Sequence, residues 1–317
     1  MKTIIGVDVG GTLLRAARYD LDWNILQREE QATLAAEGLQ AVLGRLYDTI
    51  ERVLPDDRSS VLGVGVACPG PLDAHTGLII ETPNLPFRNT PLRQLLEDRL
   101  GITTYVSNDA DLAGLAEYTR GAGRGARTMI YMTISTGVGG GVVIDGKPLI
   151  AGGLAGEIGH MVVDPDGPMC GCGHRGHLEA IASGPSIARA ARERIAAGET
   201  SMISDMVGGQ LAAVTGQTVG DAARLGDRLA VEVVANAGRH IGVMIASLMA
   251  LLNPDMFVLG GGVTKLGDLL FDPIHQAVRE YTVHDRYWQG VPIVRAELGE
   301  DVGLVGGAAL VRALQEI

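Results

Sequence analysis

Two apolar runs in this chain each break on a turn of glycine and threonine and then resume, and this repeated unit constrains the fold more than any other feature. The first run, Thr3–Val9, is rich in β-branched residues and carries Asp8 near its end. Gly10, Gly11 and Thr12 turn the chain, and residues 13–19 and 24–31 read as second and third strands. The second unit runs from a strand over 129–134, through Ser135-Thr136-Gly137-Val138-Gly139-Gly140-Gly141, to a return strand over 142–145. A strand–turn–strand unit that occurs twice suggests two related half-domains. Each turn exposes backbone N–H groups and a threonine hydroxyl, which together can hold a phosphate. A plain hairpin turn has the same composition. At the first turn Asp8 adds the carboxylate that a nucleotide-bound Mg²⁺ favours nearby.

Glycine accounts for 45 of 317 residues and comes in bursts at the ends of apolar runs, where a backbone turns sharply or approaches a ligand. A third burst, Gly260-Gly261-Gly262, follows a strand over 256–259, and a fourth, 303–307, opens the last helix. None matches the P-loop or a clean dinucleotide fingerprint, so a nucleotide would sit between two hairpin turns. The spacing of Leu39, Val42, Leu43, Leu46, Ile50 and Val53 predicts an amphipathic helix over 37–53. Further helices are expected over 109–118, 185–197, 228–253 and 269–281. Strands and helices alternate, which makes the class α/β. A strand over 103–107 runs into Ser107, Asn108 and Asp109 and then a helix. Ligands in such folds bind at the carboxyl ends of strands, so Asp109 reads either as a general base or as a helix cap.

Hydrophobic residues make up 46% and charged residues 20%, the balance of a folded soluble protein. A net charge of −11 without a basic run excludes a nucleic-acid surface. The opening MKTIIGVDVGGT lacks the apolar core and cleavage site of a signal peptide. Three cysteines cannot build a disulfide framework, and reduced thiols place the chain in a cytoplasm. Residues 239–253 are apolar but too short to span a bilayer, and are expected to form a buried helix.

The segment 156–183, GEIGHMVVDPDGPMCGCGHRGHLEAIAS, brings His160, Cys170, Cys172 and His177 close together and interleaves Glu157 and Glu179 with them. Two thiols and two imidazoles form a complete tetrahedral set for Zn²⁺, with no open position for water, so the expected metal is structural. Cysteines are also ordinary buried small residues, but these two sit among glycines and histidines in a polar loop. A Cys170–Cys172 disulfide is disfavoured by geometry.

Taken together, DVGGT at the N-terminus, CPGPLD at 68–73, PNLP at 83–86, SNDAD at 107–111, STGVGGG at 135–141, GEIGH at 156–160, CGCGHRGHLE at 170–179 and LGGGV at 259–263 resemble the ROK family (repressors, open reading frames and kinases). That family belongs to the actin-like sugar kinase ATPase superfamily, and the resemblance covers essentially the whole chain. It implies two actin-like (ribonuclease H-like) α/β ATPase domains around a cleft, expected over 1–117 with 303–317 and over 118–302. It implies ATP-dependent phosphorylation of a neutral hexose, most simply glucose at the 6-hydroxyl, with kinases for N-acetylmannosamine, allose, mannose or fructose as alternatives. Asp109 matches the family's general base. Asn84, Asn108, Glu157, His160 and Glu179 match its sugar-binding positions. Asp8, Gly10, Gly11, Thr12, Thr136, Gly137 and Gly261 match its nucleotide-binding turns. ATP, Mg²⁺ and Zn²⁺ are the implied cofactors, and a homodimer or homotetramer the implied assembly. One departure stands out: His177 occupies the place of a third cysteine, giving a Cys₂His₂ set, with His174 as a substitute ligand. Family repressors carry an N-terminal helix-turn-helix. Here the first strand begins at Thr3, so the non-enzymatic reading is a sugar-binding regulator that does not contact DNA.

Overall fold

A computed structural model describes residues 1–151 and 154–316; Ile317, the end of the expected first domain, lies outside them. The chain divides into two compact units: Met1–Tyr131 with Gly141–Gly156 and Ala296–Ile317, and Met132–Gly140 with Glu157–Arg295.

In the first unit β1 (Thr3–Val9), β2 (Leu13–Asp20) and β3 (Ile25–Ala32) form an antiparallel meander. Helix α1 (Leu39–Val53) buries Val42, Leu43, Leu46, Ile50 and Val53, the face its spacing predicts. β4 (Val61–Cys68) then joins β1 in parallel. A small antiparallel sheet of β5 (Leu72–Asp73), β6 (Leu78–Glu81) and β7 (Arg88–Pro91) leads into α2 (Leu92–Leu100). β8 (Thr104–Asn108) completes the order β3-β2-β1-β4-β8 and runs directly into α3 (Asp109–Arg120).

The second five-stranded sheet repeats the plan, in the order β11 (Lys147–Pro148), β10 (Val138–Ile144), β9 (Thr128–Ile134), β12 (Met256–Gly260), β13 (Ile293–Arg295). β10 starts earlier than the glycine run suggests. Val138–Gly141 are strand rather than turn, and the turn shrinks to Ser135-Thr136-Gly137. Gly140 is glycine for packing: a Cβ there would lie 2.4 Å from Ile158 Cδ1.

The helices of the second unit are α4 (Glu179–Ala182), α5 (Gly184–Ala196), α6 (Ile203–Met206), α7 (Gly216–Arg224), α8 (Arg228–Leu252) and α9 (Asp268–Tyr281). α8 is long and apolar enough to cross a membrane by length and composition, but 61% of its apolar window is buried inside the protein. Gly238 and Gly242 let α9 approach it closely.

Helix α10 (Val302–Gln315) returns to the first unit. Its glycines serve packing. A Cβ on Gly65 of β4 would lie 1.9 Å from the Gly307 carbonyl oxygen, and one on Gly6 of β1 2.0 Å from that of Leu304. Helix and sheet therefore meet backbone to backbone.

Candidate active site and metal centre

The sequence-predicted residues fall into two groups, one in each unit. In the first unit the parallel register sets Asp8 beside Ala67 and Cys68 beside Asn108. The carboxyl ends of β1, β4 and β8 thus gather Asp8, Cys68, Asn108 and Asp109. Burial pushes the Cys68 thiol well up, and the charges of Asp109 and Asp8 push it further, so it is a neutral, sequestered group.

The cap of α3 is Asn108, whose Oδ1 accepts the Ala110 N–H at 2.8 Å. Asp109 is the first helical residue. Its Oδ1 also accepts from Ala110 at 2.8 Å, while the residue as a whole stays exposed. Asn108 and Asp109 thus share the Ala110 N–H, and a carboxylate has acceptor positions for more than one donor. Gly70 packs on Asn108: a Cβ there would lie 2.8 Å from Asn108 Nδ2.

Asp8 is held by Arg15, Nη2 to Oδ2 at 2.5 Å. Burial pushes its carboxyl up, and Arg15 opposes that shift. Gly303, at the start of α10, makes room for the Asp8 carboxylate, 2.5 Å from where its Cβ would stand. The turn beyond Asp8 is closed from within: Gly10 N–H donates to Leu13 O at 2.9 Å, and Thr33 Oγ1 donates to Gly10 O at 2.6 Å. Gly11 and Thr12 stay exposed. Asn84 lies against this turn, its Cβ 3.1 Å from a Cβ placed on Gly11.

In the second unit the ligand atoms of His160, Cys170, Cys172 and His177 all lie within 4.8 Å of one another. Cys170 Sγ is 3.8 Å from His160 Nδ1, and Cys172 Sγ is 3.2 Å from His177 Nδ1. His174 stands outside the set, its ring 6.0 Å from that of His177. Burial first, then the neighbouring His160 and His174, holds the His177 imidazole below its ordinary value, and a neutral imidazole is what a metal takes. The loop tip closes on itself, Cys170 N–H to His174 O and Gly173 N–H to Cys170 O. The far nitrogen of His160, Nε2, sits 4.0 Å from Glu157 Oε2.

The GEIGH segment is positioned by β10. Ile158 fills the space that Gly140 leaves open, and a Cβ on Gly159 would lie 1.9 Å from the Val138 carbonyl oxygen. Glu179 Oε2 accepts the Val138 N–H at 3.0 Å, and its Oε1 lies 3.6 Å from Cys170 Sγ. Gly261 backs the end of β9, with room for no side chain: a Cβ would lie 2.3 Å from Ile134 O.

A cavity of about 550 Å³ opens beside the second turn, lined among others by Ser135, Thr136, Gly184, Thr215, Gly262 and Leu266. Its arginines are tied to the cavity wall and its edge: Arg192 donates to Val214 O, and Arg224 donates to Lys265 O and pairs with Asp221. Sequence reasoning overlooked this cavity wall, because α5 and α7 carry no motif. It also overlooked Arg15, which hairpin register alone places opposite Asp8.

Two α/β units, each with a five-stranded sheet and a glycine–threonine hairpin turn, define the actin-like ATPase class. Within that class the chain belongs to the ROK family, whose model matches residues 4–314. It is 37% identical over 316 residues to the glucokinase of Halalkalibacterium halodurans, covering 97% of this chain and 94% of that one. The crystal structure of a ROK hexokinase from Thermus thermophilus superposes with a TM-score of 0.83 at 34% identity, covering 99% of each chain. A ROK family glucokinase from Streptomyces griseus, solved in complex with glucose and AMPPNP, gives 0.78 at 33% identity, covering 98% of this chain and 99% of that one.

Proposed function

We propose that this chain transfers the γ-phosphoryl group of Mg·ATP to a neutral hexose, with glucose at its 6-hydroxyl as the first substrate to test. The observation that carries the assignment is Asp109, an exposed carboxylate at the carboxyl end of β8, directly after the helix cap Asn108. Phosphoryl transfer requires positioning and charge neutralisation more than covalent chemistry. Asp109 accepts the proton of the attacking hydroxyl. Asn84, Asn108, Glu157, His160 and Glu179 hold the sugar through hydroxyl hydrogen bonds, and a carboxylate-rich lining disfavours anionic acceptors.

Gly10, Gly11 and Thr12, with Thr136, Gly137 and Gly261, receive the phosphates, and Asp8 faces the magnesium. The cavity beside Ser135 and Thr136 is within the size range of nucleotide pockets and seats the base. Two thiols and two imidazoles within 4.8 Å of one another suit Zn²⁺, so His160, Cys170, Cys172 and His177 would hold it as a closed site. Bound zinc would supply rigidity to the loop and no water for chemistry. The unpaired cysteines support a cytoplasmic setting, and the family resemblance supports a homodimer.

The test is ADP release, coupled to an indicator reaction, over a panel of glucose, mannose, N-acetylmannosamine, allose and fructose. The proposal expects release that depends on a neutral hexose and is highest with glucose. No stimulation by any neutral sugar would favour a sugar-binding regulator.

A further inference from the structure

One short segment runs from the Cys–His loop to the second glycine turn and bonds to the two residues that bracket it, Ser135 at its start and Val138 at the head of β10. His177, a member of the metal set, is followed after Leu178 by Glu179, whose Oε2 accepts the Val138 N–H at 3.0 Å. Five residues further on, Gly184 N–H donates to Ser135 O at 2.8 Å. The turn Ser135-Thr136-Gly137 is thereby gripped at both ends by residues 179–184. Its own internal bond, Ser135 N–H to Gly137 O at 2.8 Å, only closes the loop. Gly137 has no side chain where Glu179 stands, since a Cβ would lie 2.6 Å from Oε2. The other carboxylate oxygen, Oε1, is 3.6 Å from Cys170 Sγ, so the same side chain touches the turn and the metal set.

The near end of the segment depends on the loop. Leu178 N–H donates to Met161 O at 3.1 Å, and Val162 and His177 form an isolated bridge, so His177 and Leu178, just before Glu179, are tied to the loop at Val162 and Met161. The loop tip, Cys170 to His174, is bonded mostly to itself. A metal that pins His177 therefore also sets where Glu179 begins its short helix α4.

We propose that residues 178–184 act as a strap through which metal occupancy of the Cys–His loop sets the affinity of the Ser135–Val138 turn for the donor nucleotide, with Glu179 as the positioning residue. This rests on the reading of that turn as a phosphate-binding element. Losing one hydrogen bond to a carboxylate weakens an interaction by about tenfold or somewhat more, and coupling between two sites is reciprocal. Metal loss thus weakens nucleotide binding, and bound nucleotide slows metal loss.

The experiment measures the dissociation constant of Mg·AMPPNP by calorimetry without sugar. It uses the full chain, zinc-loaded and chelator-stripped, as wild type, Glu179→Ala, Glu179→Gln and Gly137→Ala. For wild type, stripping should weaken binding about tenfold. Glu179→Ala should bind about tenfold more weakly when loaded and show no further change on stripping. Glu179→Gln keeps an acceptor for the Val138 N–H and should recover part of the affinity. Gly137→Ala leaves all four metal-set residues in place, so it should keep its zinc and still lose affinity. Zinc release to a chromophoric chelator should slow in the presence of AMPPNP for wild type and not for Glu179→Ala. Equal affinity of loaded and stripped wild type would overturn the strap while leaving the nucleotide site standing. A stripping effect that survives Glu179→Ala would remove Glu179 from the role. Failure of loaded wild type to bind AMPPNP at all would overturn the donor-site reading and the strap with it.

Discussion

The two glycine turns share a sequence signature but are supported in different ways. The first, Gly10–Thr12, is closed by its own hairpin and by Thr33, which is fully buried at the far side of the meander. Among the described residues, the hydrogen bonds that close it come from the first three strands and the residue that follows them, with Asn84 packed alongside. The second, Ser135–Gly137, depends on a distant segment, reached through Glu179 and Gly184. A locally closed turn keeps its geometry whatever happens elsewhere, whereas a strapped turn inherits the state of the loop that holds the strap. Duplication of a motif therefore does not duplicate its mechanics.

Four substitutions, one of them paired with a control, bear on that contrast, in order of decreasing effect. Asp109→Asn keeps the shape of the side chain and removes the basic oxygen. Steady-state kinetics should show kcat falling about 10²–10⁴-fold, while sugar binding by calorimetry and zinc content stay near wild type. A near-normal rate in the folded variant would make Asp109 a mere helix-end residue. His177→Ala acts on the other region. It should lower metal affinity by at least about 100-fold, since even partners beyond the ligands typically contribute 10–100-fold. Elemental analysis after dialysis against a chelator reads this, with the KM for sugar rising alongside. His174→Ala should retain its zinc, and loss of metal from that variant instead would exchange the roles of the two imidazoles.

The third change tests whether support of the first unit is independent of metal. Glu117, fully buried in α3, accepts N–H groups from Ala122, Glu297 and Leu298. Glu117→Ala leaves those donors unpaired and should cost about 3 kcal/mol or more in chemical denaturation, with zinc present or removed. A cost that vanishes on stripping would tie the first unit to the metal loop. The smallest effect is expected for Thr33→Val, which removes the hydroxyl lock on Gly10. Its AMPPNP affinity should fall by only a few-fold, and by the same factor in loaded and stripped protein.

Much of this was legible in the sequence because it is periodic or punctuated. A β-branched apolar run marked β1 as Thr3–Val9, and 3.6-residue spacing marked the buried face of α1. The clustering of His160, Cys170, Cys172 and His177 was readable from residue type, since few reasons exist to place two thiols and two imidazoles in a polar loop. Contacts that depend on tertiary approach left no such trace. The glycines of 303–307 were read with the ligand turns, yet they let α10 lie on β1 and β4. The role of Glu117 required knowing that residues 296–298 return to the end of α3. The resemblance implies a sugar-binding role for Glu179, whereas its bond to Val138 appears only once β10 is known to begin there.

The central claim is that the chain is a hexose kinase in which Asp109 activates a sugar hydroxyl. Phosphorus NMR of a reaction containing Mg·ATP and glucose tests it most directly, because it reports both the donor's fate and the acceptor atom. The account predicts ADP and glucose 6-phosphate rising in equal amounts for wild type and neither for Asp109→Asn. ADP accompanied by inorganic phosphate at the same rate with and without sugar would contradict it.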